Sequence, residues 1–79
     1  MEETNSRELT YGEKAVGLNF NPSSDSAVNT TKKYFAQIIG DMNSLRSGTE
    51  NPEAKRLYSI AITEAQTAQM WAVKAITYK

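Results

Sequence analysis

Lys32 is the residue whose type and position suggest chemistry most directly. On a predicted helix it lies at the edge of an apolar face, between Val28, Phe35 and Ile39. In one interpretation the aliphatic stem packs on the core and the ammonium reaches water, which is the commoner arrangement for lysine. In the other, the ammonium is a point charge aimed at an anion such as phosphate, beside a pocket lined by the same apolar residues. The residue pattern leaves both interpretations open.

Phe20 is the aromatic side chain of a turn-forming segment, NFNPSSDS, at residues 19–26. Asn, Pro, Ser and Asp crowd together here, and the residue before Pro22 is pushed out of helical conformation. Phe20 therefore either covers the core where the loop crosses a helix or offers a flat surface on which a base stacks.

Several kinds of catalytic and metal site are disfavoured by what the chain lacks. Its four glycines are scattered, so there is no glycine-rich phosphate loop, and no HExxH, CxxC or GxSxG motif occurs. With no Cys and no His, the commonest general base, the strongest common nucleophile and the usual ligands of transition metals are missing. We therefore expect a protein that is not an enzyme and has no metal and no cofactor.

The longest predicted element is a helix at the end of the chain. Asn51 is a candidate N-cap, Pro52 suits the first helical position, and Glu53 suits the helix dipole. The following residues contain no Pro or Gly and predict a helix of about 40 Å. One face of this helix is a stripe of alanines, which would let another helix approach closely: Ala54, Ala61, Ala65, Ala68, Ala72 and Ala75. Large apolar side chains flank the stripe on both sides: Leu57, Ile60, Trp71 and Tyr78 on one, and Ile62, Val73 and Ile76 on the other. A strip that includes Gln66 and Lys74 is predicted to face solvent, and so wide an apolar surface needs partners on more than one side.

Two further helices are predicted before it. One starts at a cap among Ser23, Ser24 and Asp25 and runs to about Ser47, where Gly48 would stop it; the short SGTENP connection then makes an antiparallel hairpin. Gly40 in its middle suggests close approach by another chain. Upstream, the Thr10–Glu13 spacing matches a capping box for a short helix that Gly17 would end, and residues 1–8 are expected to be loose. The fold class is all-α, as one domain over residues 1–79.

The chain length and the net charge limit the kinds of partner that we expect. Below roughly 80 residues a core usually needs help from disulfides, metal or oligomerisation, and only oligomerisation remains here. Nine basic and nine acidic residues give a net charge of zero, so no positive electrostatic field favours the binding of DNA. No apolar run is long enough to span a membrane. We expect a soluble, cytoplasmic homo-oligomer.

Three segments resemble a known family. SIAITEAQTAQMWAVKAIT is similar to the C-terminal helix of the phage anti-CBASS protein 2 family, VNTTK at residues 28–32 resembles the start of its preceding helix, and Phe20-Asn21-Pro22 resembles its aromatic-x-Pro loop. The resemblance covers roughly residues 18–79, and the hairpin is shared with an anti-Thoeris sponge. It implies a non-enzymatic oligomer, typically a homohexamer, that sequesters cyclic oligonucleotides such as 3′,3′-cGAMP in the cytoplasm of an infected bacterial host.

The resemblance also implies roles for single residues. Lys32 matches the lysine that contacts the cyclic dinucleotide. Phe20, with Asn21 and Pro22, matches the loop whose aromatic, usually Tyr, stacks on a base; the loop is shorter here, and Tyr11 is the alternative platform. Lys74 stands where relatives carry Arg near a second pocket for cyclic trinucleotides, and it lacks the guanidinium needed for bidentate phosphate contact.

Two other functions remain open. The first alternative is a structural or adaptor protein that binds another protein through its apolar flanks. The second alternative is a small DNA-mimic or DNA-binding regulator, against which the zero net charge and the lack of a recognition helix argue.

Overall fold

Three α-helices make up the computed structural model, which describes residues 8–19 and 25–78. They are α1 (Tyr11–Ala15), α2 (Ser26–Gly48) and α3 (Pro52–Ile76), and no strand occurs in the described part of the chain. Arg46, near the end of α2, donates to the Ser59 hydroxyl near the start of α3 at 2.9 Å, so the two long helices run antiparallel. The predicted all-α fold, a short helix followed by a hairpin, is confirmed.

The helix starts follow the capping residues of the sequence. The Asn51 side-chain oxygen accepts hydrogen bonds from the backbone N–H groups of Glu53 and Ala54, and Pro52 is the first helical residue. Asp25, one of the three candidates, caps α2 in the same way. α2 ends at Gly48, one residue beyond the predicted Ser47, with Thr49 as the C-cap.

The short helix α1 is closed at both ends by local hydrogen bonds. Thr10 and Glu13 form the predicted capping box, each accepting from the other's backbone N–H. At the C-terminal end, the N–H of Gly17 donates to Lys14 and the N–H of Leu18 donates to Glu13. This is a Schellman motif, which needs a left-handed residue, and Gly17 supplies it with φ of 62°.

The core is a narrow strip that crosses all three helices. Its buried members are Val16, Ala36, Ile39 and Ile62, and Ile39 is completely inaccessible to solvent. Phe35, Met42 and Ala65 pack against them. Val16 follows α1 directly, so the docking of that helix completes the core.

At Gly12 the backbones of α1 and α2 approach each other closely, which the sequence had not indicated. A Cβ atom added there would stand 2.0 Å from the carbonyl oxygen of Ala36, so α1 lies directly on the backbone of α2. At Gly40, where a close approach was suggested, a Cβ would meet nothing within 4 Å in the single chain. In the alanine stripe of α3, Ala65 packs against the core, whereas Ala68 and Ala75 are exposed in the single chain.

A large apolar surface is left uncovered on the long helices. Leu57, Ile60 and Trp71 recur along one side of α3, and Tyr78 follows the end of that helix. These four residues, here called the outer stripe, are all exposed, Trp71 to 65 %. On α2, Tyr34, Ile38 and Leu45 are exposed as well. The predicted excess of apolar surface is therefore present in the isolated chain.

The Gly12 contact can be tested by a pair of Gly→Ala substitutions. Gly12→Ala should lower the free energy of unfolding by about 1–3 kcal/mol, because the methyl group would overlap the Ala36 carbonyl. Gly40→Ala should raise it by up to about 1 kcal/mol, since alanine is the better helix former and has room. Urea denaturation followed by circular dichroism measures both; equal effects of the two substitutions would contradict the assigned contact.

Candidate functional site

A groove lies between the end of α1, the first turns of α2 and the middle of α3. Its volume is about 680 Å³, and we call it the lysine groove. Its polar lining comes from all three elements (Lys14, Lys32, Thr63, Gln66, Thr67 and Gln69). No carboxylate lines the groove among the residues that the structure describes, so its local charge is positive although the chain is neutral.

Lys32 is held against the turn that ends α1. Its Nζ donates to the carbonyl oxygen of Gly17 at 2.9 Å, and the residue is only 3 % exposed. The interpretation in which its ammonium reaches open water is therefore wrong. Burial lowers the pKa of Lys32, because desolvation penalises the charged form. A buried ammonium beside a groove interacts more strongly with an anion than an exposed one does.

The α3 wall of the groove is polar and more buried than the sequence indicated. Gln66, predicted to face solvent, is partly buried and donates from Nε2 to the Ala15 carbonyl at 3.2 Å. Gln69 is only 5 % exposed. Sequence reasoning missed Gln69, although it follows the buried Ile62 by seven residues and therefore lies on the same side of the helix.

Tyr11 does not line the lysine groove. It lies in a second groove, of about 560 Å³ between α1 and α2, where Glu13, Lys33 and Asp41 mix both signs of charge. The Tyr11 hydroxyl accepts a hydrogen bond from Arg46 at 3.3 Å, and the Arg46 Cζ is 5.8 Å from the centre of the Tyr11 ring. Within one chain, Tyr11 helps to attach α1 to α2 and is separated from Lys32.

Of the remaining sequence-predicted residues, only Lys74 lies in the described part of the chain, and it is not brought together with Lys32. Phe20, Asn21 and Pro22 lie outside the described residues, so their role stays a prediction. Lys74 is exposed on α3, with its Nζ 6.0 Å from the centre of the exposed Trp71 ring, and it does not line the lysine groove.

Neither a metal site nor a membrane span is found in the described chain. Residues 8–19 and 25–78 contain no group of three or more metal-ligating side chains close enough to share an ion. None of the three helices has the length and apolar character needed to cross a bilayer.

The buried ammonium gives stability a dependence on alkaline pH. Because the pKa of Lys32 is lowered from its ordinary 10.5, the unfolded chain keeps a proton that the folded chain has lost between those two values. Stability from Lys32 therefore rises with pH across that window. Urea denaturation at increasing alkaline pH, up to about pH 10.5, should show the parent gaining stability relative to Lys32→Met. Lys33→Met, at an exposed lysine, is the control for loss of a positive charge; a constant difference between the parent and Lys32→Met would contradict the assignment.

Comparison with known proteins gives one family. Residues 13–77 match the Acb2/Tad1 hairpin domain, a stretch that includes all of α2 and α3. No curated protein and no solved structure matches the chain. The matched stretch covers most of the 79 residues and contains the lysine groove, and membership implies a phage sponge-type protein. The chain therefore belongs to the Acb2/Tad1 hairpin-domain family, as its sequence resemblance predicted.

Proposed function

We propose that this protein binds and sequesters cyclic oligonucleotide second messengers, such as 3′,3′-cGAMP, without cleaving them. It thereby blocks CBASS-type defence in the cytoplasm of an infected bacterial host. Family membership supports the sponge-type role. The observation that carries the choice of ligand is the lysine groove, which offers two lysines and no described carboxylate in a chain of zero net charge.

The charge distribution favours this groove over the other one. Lys14 and Lys32 make the lysine groove attractive to phosphate, whereas Glu13 and Asp41 offset Lys33 in the groove between α1 and α2. Lys32 is the stronger of the two cations for binding, because its buried position reduces screening by water and salt. Lys14 is exposed and is better placed for attracting the ligand.

Sequestration makes modest chemical demands that the groove meets. A sponge has to hold its ligand tightly, and it does not have to activate water or stabilise a leaving group. Neutral amide and hydroxyl groups on α3 beside a lysine supply hydrogen bonds of both polarities and a counter-charge for phosphate.

Assembly of several copies is part of the proposal. A cyclic dinucleotide has two phosphates and two bases, so a two-fold site would use Lys32 and Phe20 from two copies, with Asn21 and Pro22 shaping the loop. The exposed outer stripe supports self-association, because an isolated chain leaves Trp71 and its neighbours in water. We propose a homohexamer, with Lys74 near a second pocket for cyclic trinucleotides, and no role in binding DNA or membranes.

The outer stripe also supports a second candidate function. An exposed apolar surface containing Trp71 and Leu57 is typical of a protein-binding face, so a non-catalytic adaptor would have the same hairpin. An adaptor would bind no cyclic nucleotide, and its activity would depend on the outer stripe and not on Lys32.

Ligand recovery tests the proposed function. The protein is incubated with 3′,3′-cGAMP, separated from unbound nucleotide, and denatured; chromatography should then return the ligand intact and in proportion to the protein. Lys32→Met should weaken binding by about tenfold to a hundredfold, the effect of losing one hydrogen bond to a charged group. Calorimetry measures the affinity.

Lys33→Met is the matched control, since it removes the adjacent lysine, which is exposed and lies outside the lysine groove. Its affinity should stay within about threefold of the parent's, as expected for a solvent-screened charge. Recovery of cleaved nucleotide would contradict sequestration, and absence of binding by the parent protein would favour the adaptor.

A further inference from the structure

Gln69 is a buried amide without a hydrogen-bond partner in the described part of the chain. It is 5 % exposed, and none of the hydrogen bonds among residues 8–19 and 25–78 involves its side chain. Its neighbours on α3 differ, because Gln66 donates to Ala15 and Thr67 donates to the Thr63 carbonyl. Buried side-chain amides are nearly always paired, so this one needs an explanation.

The position of Gln69 indicates where its partner comes from. The residue lines the lysine groove together with Lys32 and Val73. A polar group that is buried and unpaired costs stability, whereas an apolar side chain of the same shape would not. The amide is therefore placed to form hydrogen bonds with a polar group that enters the groove. In the ligand-free protein, the buried and unpaired amide lowers the stability.

We propose that Gln69 reads the hydrogen-bonding edge of a nucleobase while Lys32 and Lys14 hold the phosphate of the same ligand. This inference rests on the proposed function and adds to it the residue that determines base specificity. Gln69 would distinguish cyclic oligonucleotides by their bases, whereas the lysines attract any anion.

The chemistry of the amide favours a base over a second phosphate. A glutamine side chain presents a donor and an acceptor side by side, which is the arrangement that pairs with the N6 and N7 atoms of adenine. A phosphate offers only acceptors, so it would leave the Gln69 carbonyl oxygen unpaired. The groove volume of about 680 Å³ lies within the range of nucleotide-sized sites, so a base and its phosphate fit together.

Gln69→Met tests the inference, since it keeps the length of the side chain and removes both polar atoms. The affinity for 3′,3′-cGAMP should fall by about tenfold to a hundredfold, as for loss of a bidentate base contact. The melting temperature of the ligand-free variant should stay the same or rise, because an unpaired buried amide has been removed. A purely structural glutamine would show the opposite pattern, with lower stability and unchanged affinity.

A panel of cyclic di-AMP, cyclic di-GMP and cyclic di-UMP identifies reading of the base. The parent protein should discriminate among the three by about tenfold or more, and Gln69→Met should bind them with nearly equal affinity. Gln37→Met is the control, because Gln37 is exposed, donates to Asp41 and lies in the other groove. Its affinities and its preference should match those of the parent.

The possible failures are distinguishable. If the parent binds none of these nucleotides, the proposed function itself fails. Should the parent bind and Gln69→Met lose affinity equally for all three, or lose none, only the role of Gln69 is overturned. A lower assembly mass for Gln69→Met in light scattering would assign the amide's partner to a second copy of the chain, which also overturns the inference.

Discussion

The contact between the Gly12 backbone and the Ala36 carbonyl is the constraint on which the rest of the structure depends. It lets the five-residue helix α1 lie directly on α2, although so short a helix would not be stable alone. With α1 in place, Val16 enters the core and the Gly17 carbonyl reaches the Lys32 ammonium. The Ala15 carbonyl at the same turn accepts from Gln66 on α3. One close approach therefore produces both the completed core and the wall of the lysine groove.

The lysine groove contains polar groups that are costly to bury, and its described lining has lysines but no carboxylate. Lys32 is buried with a lowered pKa, and Gln69 is buried without a described partner. Both arrangements reduce the stability of the ligand-free chain. Such costs are typical of sites organised before the ligand arrives, because polar groups already in place lose little freedom on binding. The same residues would contribute far less to binding on an open surface.

The sequence predicted most of the fold because helix starts are encoded locally. Asn51 with Pro52, and Thr10 with Glu13, specify helix starts within a few residues, and both starts are confirmed. The packing was harder, since the close approach at Gly12 depends on the Ala36 carbonyl, which lies on another helix. Lys32 was identified at the edge of an apolar face, but its burial follows from the position of the α1 turn. Gln69 was missed because a polar residue on a long helix is normally expected to face solvent.

The most direct measurement is the mapping of bound 3′,3′-cGAMP by backbone amide chemical shifts. The largest shift changes should cluster around the lysine groove, at Gly17, Lys32 and Gln69. Changes that cluster in the groove of Tyr11 and Asp41, with Gly17, Lys32 and Gln69 unaffected, would contradict the proposed binding site.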